Sequence, residues 1–95
     1  MTPPNLNDIY SARARIAPHM IESPLLRHPL LDAESGLSIW VKHENHNPTC
    51  AFKVRGGLNL VAALTAEERA RGIVTASTGN HGQSIGLASR LNDVA

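Results

Sequence analysis

The sequence predicts an α/β protein with an open parallel β-sheet that carries helices on both faces. Two short segments rich in β-branched and apolar residues, 37–42 and 73–77, are typical of strands. Each is followed by a segment with apolar residues at helical spacing, at 54–64 and at 85–91. Strands that alternate with helices favour a largely parallel sheet with helices on both sides.

The remaining elements are short and are marked by caps and turn residues rather than by long periodic runs. The sequence predicts a helix capped by Asn5 or Asn7 and ended by Pro18, an extended segment at 25–27, a helical turn at 30–35 ended by Gly36, and a short helix begun by the capping box Thr65–Glu68 and closed by Gly72.

Length and composition limit the classes of protein that need to be considered. The 95 residues suit one small domain, and the formal net charge of +1 gives no case for nucleic acid or an anionic membrane. The sequence contains no apolar run that could span a bilayer, and its first residues lack the pattern of a signal peptide. The single cysteine fits a reducing compartment, so a cytoplasmic protein is expected.

Lys53 is the first candidate functional residue. It follows a Pro48-Thr49 turn and the aromatic Phe52, and it opens the predicted helix at 54–64. The positive end of a helix dipole disfavours a charged amine, and so does a partly dry site beside an aromatic ring. A neutral lysine amine is the form that Schiff-base chemistry requires. An isolated helix lysine is usually solvated, so this interpretation depends on a second motif.

The second motif lies at residues 77–80, where a tight turn connects the 73–77 strand to the last helix. Such a turn points free backbone N–H groups at a ligand over the helix N-terminus, an arrangement that binds carboxylates or phosphates. Gly79 permits positive φ or a close approach of the backbone. Asn80 can cap the helix or present its amide to a ligand. An ordinary capped helix is the competing interpretation.

Together the two motifs resemble the fold-type-II pyridoxal 5′-phosphate enzymes, above all the threonine/serine dehydratases. That pattern has an acidic residue, a proline, then Ser/Ala-Phe-Lys-x-Arg-Gly and later Ser-x-Gly-Asn-His-Gly-Gln. This sequence matches it at Glu44, at Pro48, at 51–56 and at 77–83. The resemblance covers most of the chain and is weakest over the first twenty residues. A subgroup linked to hydroxyectoine breakdown resembles the Ala-Phe-Lys-Val-Arg-Gly-Gly segment in particular.

The resemblance implies a role for each matched residue. Lys53 would form the Schiff base with pyridoxal 5′-phosphate, and Phe52 would flank the pyridine ring of this cofactor. Asn80 would hydrogen-bond the cofactor's 3′-oxygen. The loop that grips the substrate carboxylate would be formed by Ser77, Thr78, Gly79 and His81.

The implied reaction is β-elimination, in which a β-hydroxy amino acid such as serine or threonine becomes a 2-oxo acid and ammonia. Lys53 would take the α-proton while the cofactor stores the resulting charge. The alternatives are an amino-acid racemase of the same fold and an inactive truncated chain. The expected partner is a small amino-acid substrate, and the full-length form is expected to be a homo-oligomer.

The sequence departs from the family pattern at two positions. Cys50 stands where the family often has glycine, so its Cβ would strain the turn if the backbone there needs positive φ. Thr78 stands where many dehydratases have alanine, and a hydroxyl-bearing residue at this place serves as the second base in racemases of the fold. Thr78 therefore keeps racemase activity open.

The family comparison also predicts an incomplete chain. Residues 1–65 would form the N-terminal part of the large cofactor domain and residues 66–95 the start of a truncated small domain. The sequence has no glycine-rich run that could cradle the cofactor phosphate.

Two polar features favour a structural interpretation. His43, His46 and Cys50 are residue types that bind zinc, but no fourth ligand is evident, so no metal site is predicted. Arg55 either faces an acidic partner or lies on a solvated face of its helix, and the solvated face is expected.

Overall fold

A computed structural model describes residues 2–95. Its elements, in chain order, are α1 (Leu6–Ile16), a 3-10 turn (Ala17–His19), β1 (Leu25–Arg27), α2 (Pro29–Ser35), β2 (Trp40–Lys42), a second 3-10 turn (Glu44–His46), α3 (Lys53–Ala62), α4 (Ala66–Arg71) and α5 (Asn80–Leu91).

The predicted Thr65–Glu68 capping box is confirmed, and Asn5, one of the two candidate caps of α1, is its N-cap and also forms a capping box. The Asn5 side-chain oxygen accepts a hydrogen bond from the Asn7 N–H at 2.8 Å, and the Asp8 carboxylate accepts one from the Asn5 N–H at 2.8 Å. Thr65 begins α4 in the same way with Glu68. Each box satisfies N–H groups that the first turn of a helix leaves without a backbone partner.

Glycines end the two short helices as predicted. Gly36 follows α2 with φ 70°, and Gly72 follows α4 with φ 75°. Both values lie in the left-handed region that glycine adopts without a steric penalty.

The strands pair differently from the prediction. The α/β class holds, but β1 and β2 are antiparallel, with Leu25 opposite Lys42 and Arg27 opposite Trp40. The parallel sheet is not formed by residues 2–95, and 73–77 is not a strand. Val74 is fully exposed, and no strand of the described chain lies beside this segment.

The core lies where α3 packs against α5 and α1. Seven buried residues form it: Ile16, Val54, Leu58, Val61, Ile85, Ala88 and Val94. The radius of gyration is 16.3 Å, whereas a compact chain of about 100 residues has a value of about 13 Å. A substantial part of the chain therefore lies outside this core, and the predicted domain division at residue 65 stays a prediction.

Within residues 2–95, every helix is too short or too polar to cross a lipid bilayer.

Candidate active site

Lys53 is the first residue of α3, as predicted. Its Nζ lies 5.2 Å from the centroid of the Phe52 ring, and both residues are exposed. Its backbone is fixed from another helix, because the buried hydroxyl of Ser84 in α5 donates a 2.7 Å hydrogen bond to the Lys53 carbonyl oxygen. The amine thus extends into open space from a backbone that is held in place.

The loop before α5 is also close to the prediction. The Gly79 N–H donates to Ser77 Oγ at 3.2 Å, which closes a tight turn. The adjacent Gly82 packs on this turn: a Cβ there would stand 3.4 Å from the Ser77 Cβ. Thr78 and His81 are exposed on either side of Gly79 and Asn80.

Of the two roles that the sequence leaves open for Asn80, the structure does not show the capping role. Gly79 is the N-cap, and Asn80 is the first helical residue. No side chain among the described residues caps α5, so the N–H groups of its first turn remain open to a ligand. Gly79 has φ −179°, so it does not use positive φ, but a Cβ placed on it would meet nothing within 4 Å. Open space therefore lies directly over the start of the helix.

The fold brings the two motifs together. Ser84, which holds the Lys53 carbonyl, is one turn along α5 from Asn80, and one helical turn is about 5.4 Å long. A side chain at Gly57 would overlap Ser84, so α3 and α5 are in close backbone contact at this point. The Lys53 carbonyl is thus bound to a residue that lies one helical turn after the uncapped start of α5.

Arg55 pairs with an acidic side chain, which corrects the preferred expectation of a solvated face, and its side chain stays 34% exposed. Its Nε donates to Glu44 Oε2 at 2.7 Å and its Nη2 donates to Glu44 Oε1 at 2.9 Å. Ser23 donates to the same carboxylate at 2.6 Å and Asn47 donates to it at 2.7 Å. Glu44 appears in the family pattern, but nothing in the sequence indicates which side chains it contacts.

This environment changes the ionisation of both members of the pair. Hydrogen bonds from Arg55, and then those from Ser23 and Asn47, outweigh partial burial and lower the pKa of Glu44 from 4.5 to about 2. The carboxylate in turn raises the pKa of Arg55. Both groups are therefore charged at neutral pH.

Cys50 has φ 52°, which confirms the strain anticipated for this position. Its N–H donates to the Asn47 carbonyl oxygen at 2.7 Å, so Cys50 ends a tight turn that starts at Asn47. The thiol is exposed.

The histidines of the loop do not form a metal site with Cys50. The His43 and His46 rings are 6.1 Å apart, and His43 Nε2 lies 3.1 Å from His28 Nε2. Among residues 2–95, no group of three or more His, Cys, Asp or Glu side chains is arranged to bind a metal ion.

A cleft lies elsewhere on the described chain. It has a volume of about 750 Å³ between α1 and the outer side of α3, and Ile9, Arg13, Gly56 and Asn59 are among its lining residues. None of the site residues predicted from sequence lines it. The open side of the Lys53 region is therefore a surface of this chain and not an enclosed pocket.

Comparisons with known proteins agree with the two motifs. The family model described as "Pyridoxal-phosphate dependent enzyme" matches residues 16–94. The chain is 36% identical to L-threo-3-hydroxyaspartate ammonia-lyase of Saccharomyces cerevisiae over 94 residues, which are 99% of this chain and 29% of that protein. It is 44% identical over 78 residues to a biosynthetic L-threonine dehydratase of Corynebacterium glutamicum, covering 82% of this chain and 18% of that protein.

A solved structure agrees as well. Serine racemase from Dictyostelium discoideum matches with a TM-score of 0.89 at 37% identity, covering 95% of this chain and 29% of that chain. The present chain thus spans less than a third of each of these three proteins. The family match and the identities lead to one conclusion: this chain belongs to the pyridoxal-phosphate-dependent enzyme family.

Proposed function

We propose that the protein containing this chain is a pyridoxal-phosphate-dependent ammonia-lyase that acts by β-elimination on a β-hydroxy amino acid such as threonine or serine. The observation that carries the proposal is the placement of Lys53. Its amine is exposed beside Phe52, and its backbone is hydrogen-bonded to α5 one turn from an uncapped helix start.

The residues present fit one end of the cofactor. A primary amine suits its aldehyde, and the exposed Phe52 ring beside Lys53 suits a flat pyridine ring. Asn80 offers an amide that the helix does not use as a cap. The phosphate end has no counterpart here, because the sequence lacks a glycine-rich loop.

When bound, the cofactor supplies an electron sink for charge at the substrate α-carbon. The task of Lys53 is to hold the cofactor through Nζ and then to take the α-proton at the same atom. Asn80 is the proposed hydrogen-bond partner of the cofactor's 3′-oxygen, and Phe52 covers the ring.

The substrate carboxylate is proposed to lie over the start of α5. The open N–H groups of the first turn and the positive end of the helix favour an anion there. Ser77, Thr78, Gly79 and His81 form the surrounding loop, and the open space at Gly79 leaves room for the carboxylate. A carboxylate held there fixes the α-carbon of the substrate relative to Lys53.

The names of two relatives support the lyase reaction, since one is an ammonia-lyase and the other a dehydratase. The family resemblance also supports a homo-oligomeric complete protein, and the single cysteine supports a reducing cytoplasm.

Racemisation is the second candidate function, and Thr78 is the observation that favours it. Its exposed hydroxyl lies in the loop before α5, and serine racemase is among the similar structures. A racemase needs a second proton-transferring group on the opposite face of the substrate, whereas elimination does not. Thr78→Ala should therefore abolish racemisation and leave 2-oxo acid release, if both activities are present.

The proposal is tested by trapping the lysine. The chain has two lysines, Lys42 and Lys53. The protein is expressed from its complete reading frame, incubated with pyridoxal phosphate, reduced with borohydride and mapped by peptide mass spectrometry. We expect the label on Lys53, its loss in Lys53→Ala and its retention in Lys42→Arg. A label on Lys42, or on neither of the two, contradicts the proposal.

A further inference from the structure

We infer that Glu44 is a positioning residue that sets the place of the Lys53 amine by holding Arg55 and the loop before α3. This inference rests on the proposed function, because it assumes that Lys53 is the cofactor-binding lysine. It adds a group that acts on Lys53 through other residues and does not itself touch the cofactor or the substrate.

The Glu44 carboxylate joins three separate segments of the chain. Oε1 accepts from Ser23 at 2.6 Å and from Arg55 at 2.9 Å, and Oε2 accepts from Arg55 and Asn47, each at 2.7 Å. Ser23 precedes β1, Asn47 lies in the loop after β2, and Arg55 is in the first turn of α3. One carboxylate therefore fixes the start of α3 relative to both strands.

These bonds lie on both sides of Lys53 in the sequence. On one side, Asn47 contacts Glu44 and also donates to the Ala51 carbonyl oxygen at 3.3 Å, two residues before the lysine. On the other side, Arg55 is two residues after it. The five-residue turn between Asn47 and Lys53 includes the strained Cys50, which needs such support to keep its backbone conformation.

The network is well suited to rigid positioning. Ser23 and Asn47 are only 2% and 3% exposed, and the Arg55 pair is a two-pronged contact, which fixes direction as well as distance. The Glu44 carboxylate accepts all four hydrogen bonds and donates none. All four can therefore form only when the residue at position 44 carries two acceptor oxygens. Glutamine keeps the shape of glutamate but places an NH2 group against at least one donor.

The chain supplies a matched control. Asp32 in α2 accepts hydrogen bonds from Arg27 and from the Ile39 N–H, so it also pairs with an arginine and a second donor. Neither Asp32 nor Arg27 lies within twelve residues of Lys53 in sequence or contacts the loop before α3. Asp32→Asn thus removes a similar ion pair at a site remote from the lysine.

The test measures how Lys53 reacts in the folded protein expressed from its complete reading frame. Glu44→Gln, Arg55→Lys, Asp32→Asn and the unchanged protein are compared for thermal stability, for the rate at which the apoprotein captures pyridoxal phosphate, and for the rate of Lys53 methylation by formaldehyde and a mild reductant. The methylation needs no cofactor, so it reports on the amine alone.

We expect Glu44→Gln to slow cofactor capture and to lower kcat by on the order of ten- to a hundredfold, since misplacement of a reacting group by about 1 Å costs that much. KM should change much less than kcat, and the rate of Lys53 methylation should differ from that of the unchanged protein. The capture rate and kcat of Arg55→Lys should lie between those of Glu44→Gln and the unchanged protein. Asp32→Asn should capture the cofactor at the original rate.

The inference is overturned if folded Glu44→Gln keeps the original capture and methylation rates. It is also overturned if the rate of cofactor capture falls as much in Asp32→Asn as in Glu44→Gln. If Glu44→Gln does not fold, Arg55→Lys decides in the same way, because it keeps the charge and loses only the two-pronged contact. Failure of the proposed function looks different, since the borohydride label would then be absent from Lys53 in the unchanged protein.

Discussion

The hydroxyl of Ser84 and the backbone carbonyl of Lys53 are joined by a 2.7 Å hydrogen bond between α5 and α3. Ser84 is fully buried, and Gly57 of α3 lies directly against it. The start of α3, which carries the lysine, is thereby fixed to the first turns of α5, which follow the loop at residues 77–79. A change at this contact is expected to affect both motifs together.

Gly57→Ala should lower the free energy of unfolding. The added Cβ would stand 2.9 Å from the Ser84 carbonyl oxygen and would also overlap the Ser84 hydroxyl, so the helices must separate. Overpacking of this kind costs about 1–3 kcal/mol. The neighbouring Gly56→Ala is the control, because a Cβ there meets nothing within 4 Å and alanine should stabilise the helix by about 1 kcal/mol. Urea unfolding of both variants measures the difference, and equal effects would contradict the close contact.

Cys50→Gly should stabilise the protein by about 1 kcal/mol. Cys50 has φ 52°, where a Cβ destabilises the folded state by about 1–2 kcal/mol. Glycine removes this strain, but the larger backbone entropy that glycine loses on folding offsets part of the gain. Cys50→Ala removes the thiol but keeps the Cβ, so it should show no such gain. Thermal unfolding under reducing conditions compares the two variants. A gain of the same size in Cys50→Ala would mean that the thiol, and not the backbone conformation, is responsible.

The stabilising contribution of the Glu44 carboxylate should be lost in acid. Its pKa is lowered to about 2 in the folded state, chiefly by Arg55, and the usual value is 4.5. A lowered folded-state pKa contributes stability above about pH 4.5, and this contribution is lost as the pH falls towards 2. Unfolding measured from pH 6 to about pH 2 should show a decline that is shallower in Glu44→Gln. Glu34→Gln, at an exposed position on α2, should keep the original slope; an unchanged slope in Glu44→Gln would argue against the pair.

Asn80→Ala should weaken catalysis while the reducible linkage to Lys53 still forms. The Asn80 side chain does not cap α5, so its loss should leave the helix intact and remove only a hydrogen bond to the cofactor oxygen. A hydrogen bond to a charged group is worth about 1.5–3 kcal/mol, which corresponds to a loss of roughly ten- to a hundredfold in kcat/KM. Turnover across pH is the measurement, and wild-type rates at every pH would leave Asn80 without a ligand role.

The isolated 95-residue chain should aggregate or fold only marginally and should bind pyridoxal phosphate weakly. Large apolar side chains lie on its surface, with Leu6 72%, Leu30 86% and Val74 102% exposed, and the sheet formed by residues 2–95 has two strands. Two strands are marginal by themselves, and exposed apolar surface promotes association. Light scattering, the thermal transition, cofactor absorbance and 2-oxo acid release would test this. A monomer with a cooperative transition, stoichiometric cofactor and turnover would contradict it.

Sequence determined the features that depend on neighbouring residues. The Asn5 and Thr65 caps follow from side chains three positions from their partners, and glycine at 36 and 72 follows from the left-handed backbone that ends a helix. Lys53 as the first residue of α3 and the strain at Cys50 are likewise local. The cap of α5 is Gly79 and not the candidate Asn80, because both residue types are accepted at an N-cap.

Tertiary structure alone decided which distant residues meet. Arg55 finds Glu44 eleven positions earlier, and Ser84 reaches Lys53 across 31 positions, so neither contact has a local pattern to reveal it. At segment 73–77, the local sequence favours a strand that the tertiary structure does not form. The β-branched residues of this segment favour a strand, but a strand forms only where another strand supplies a ladder of hydrogen-bond partners. The Ile73 N–H donates to the Ala95 carbonyl oxygen at 2.8 Å, but within residues 2–95 no strand lies beside the segment.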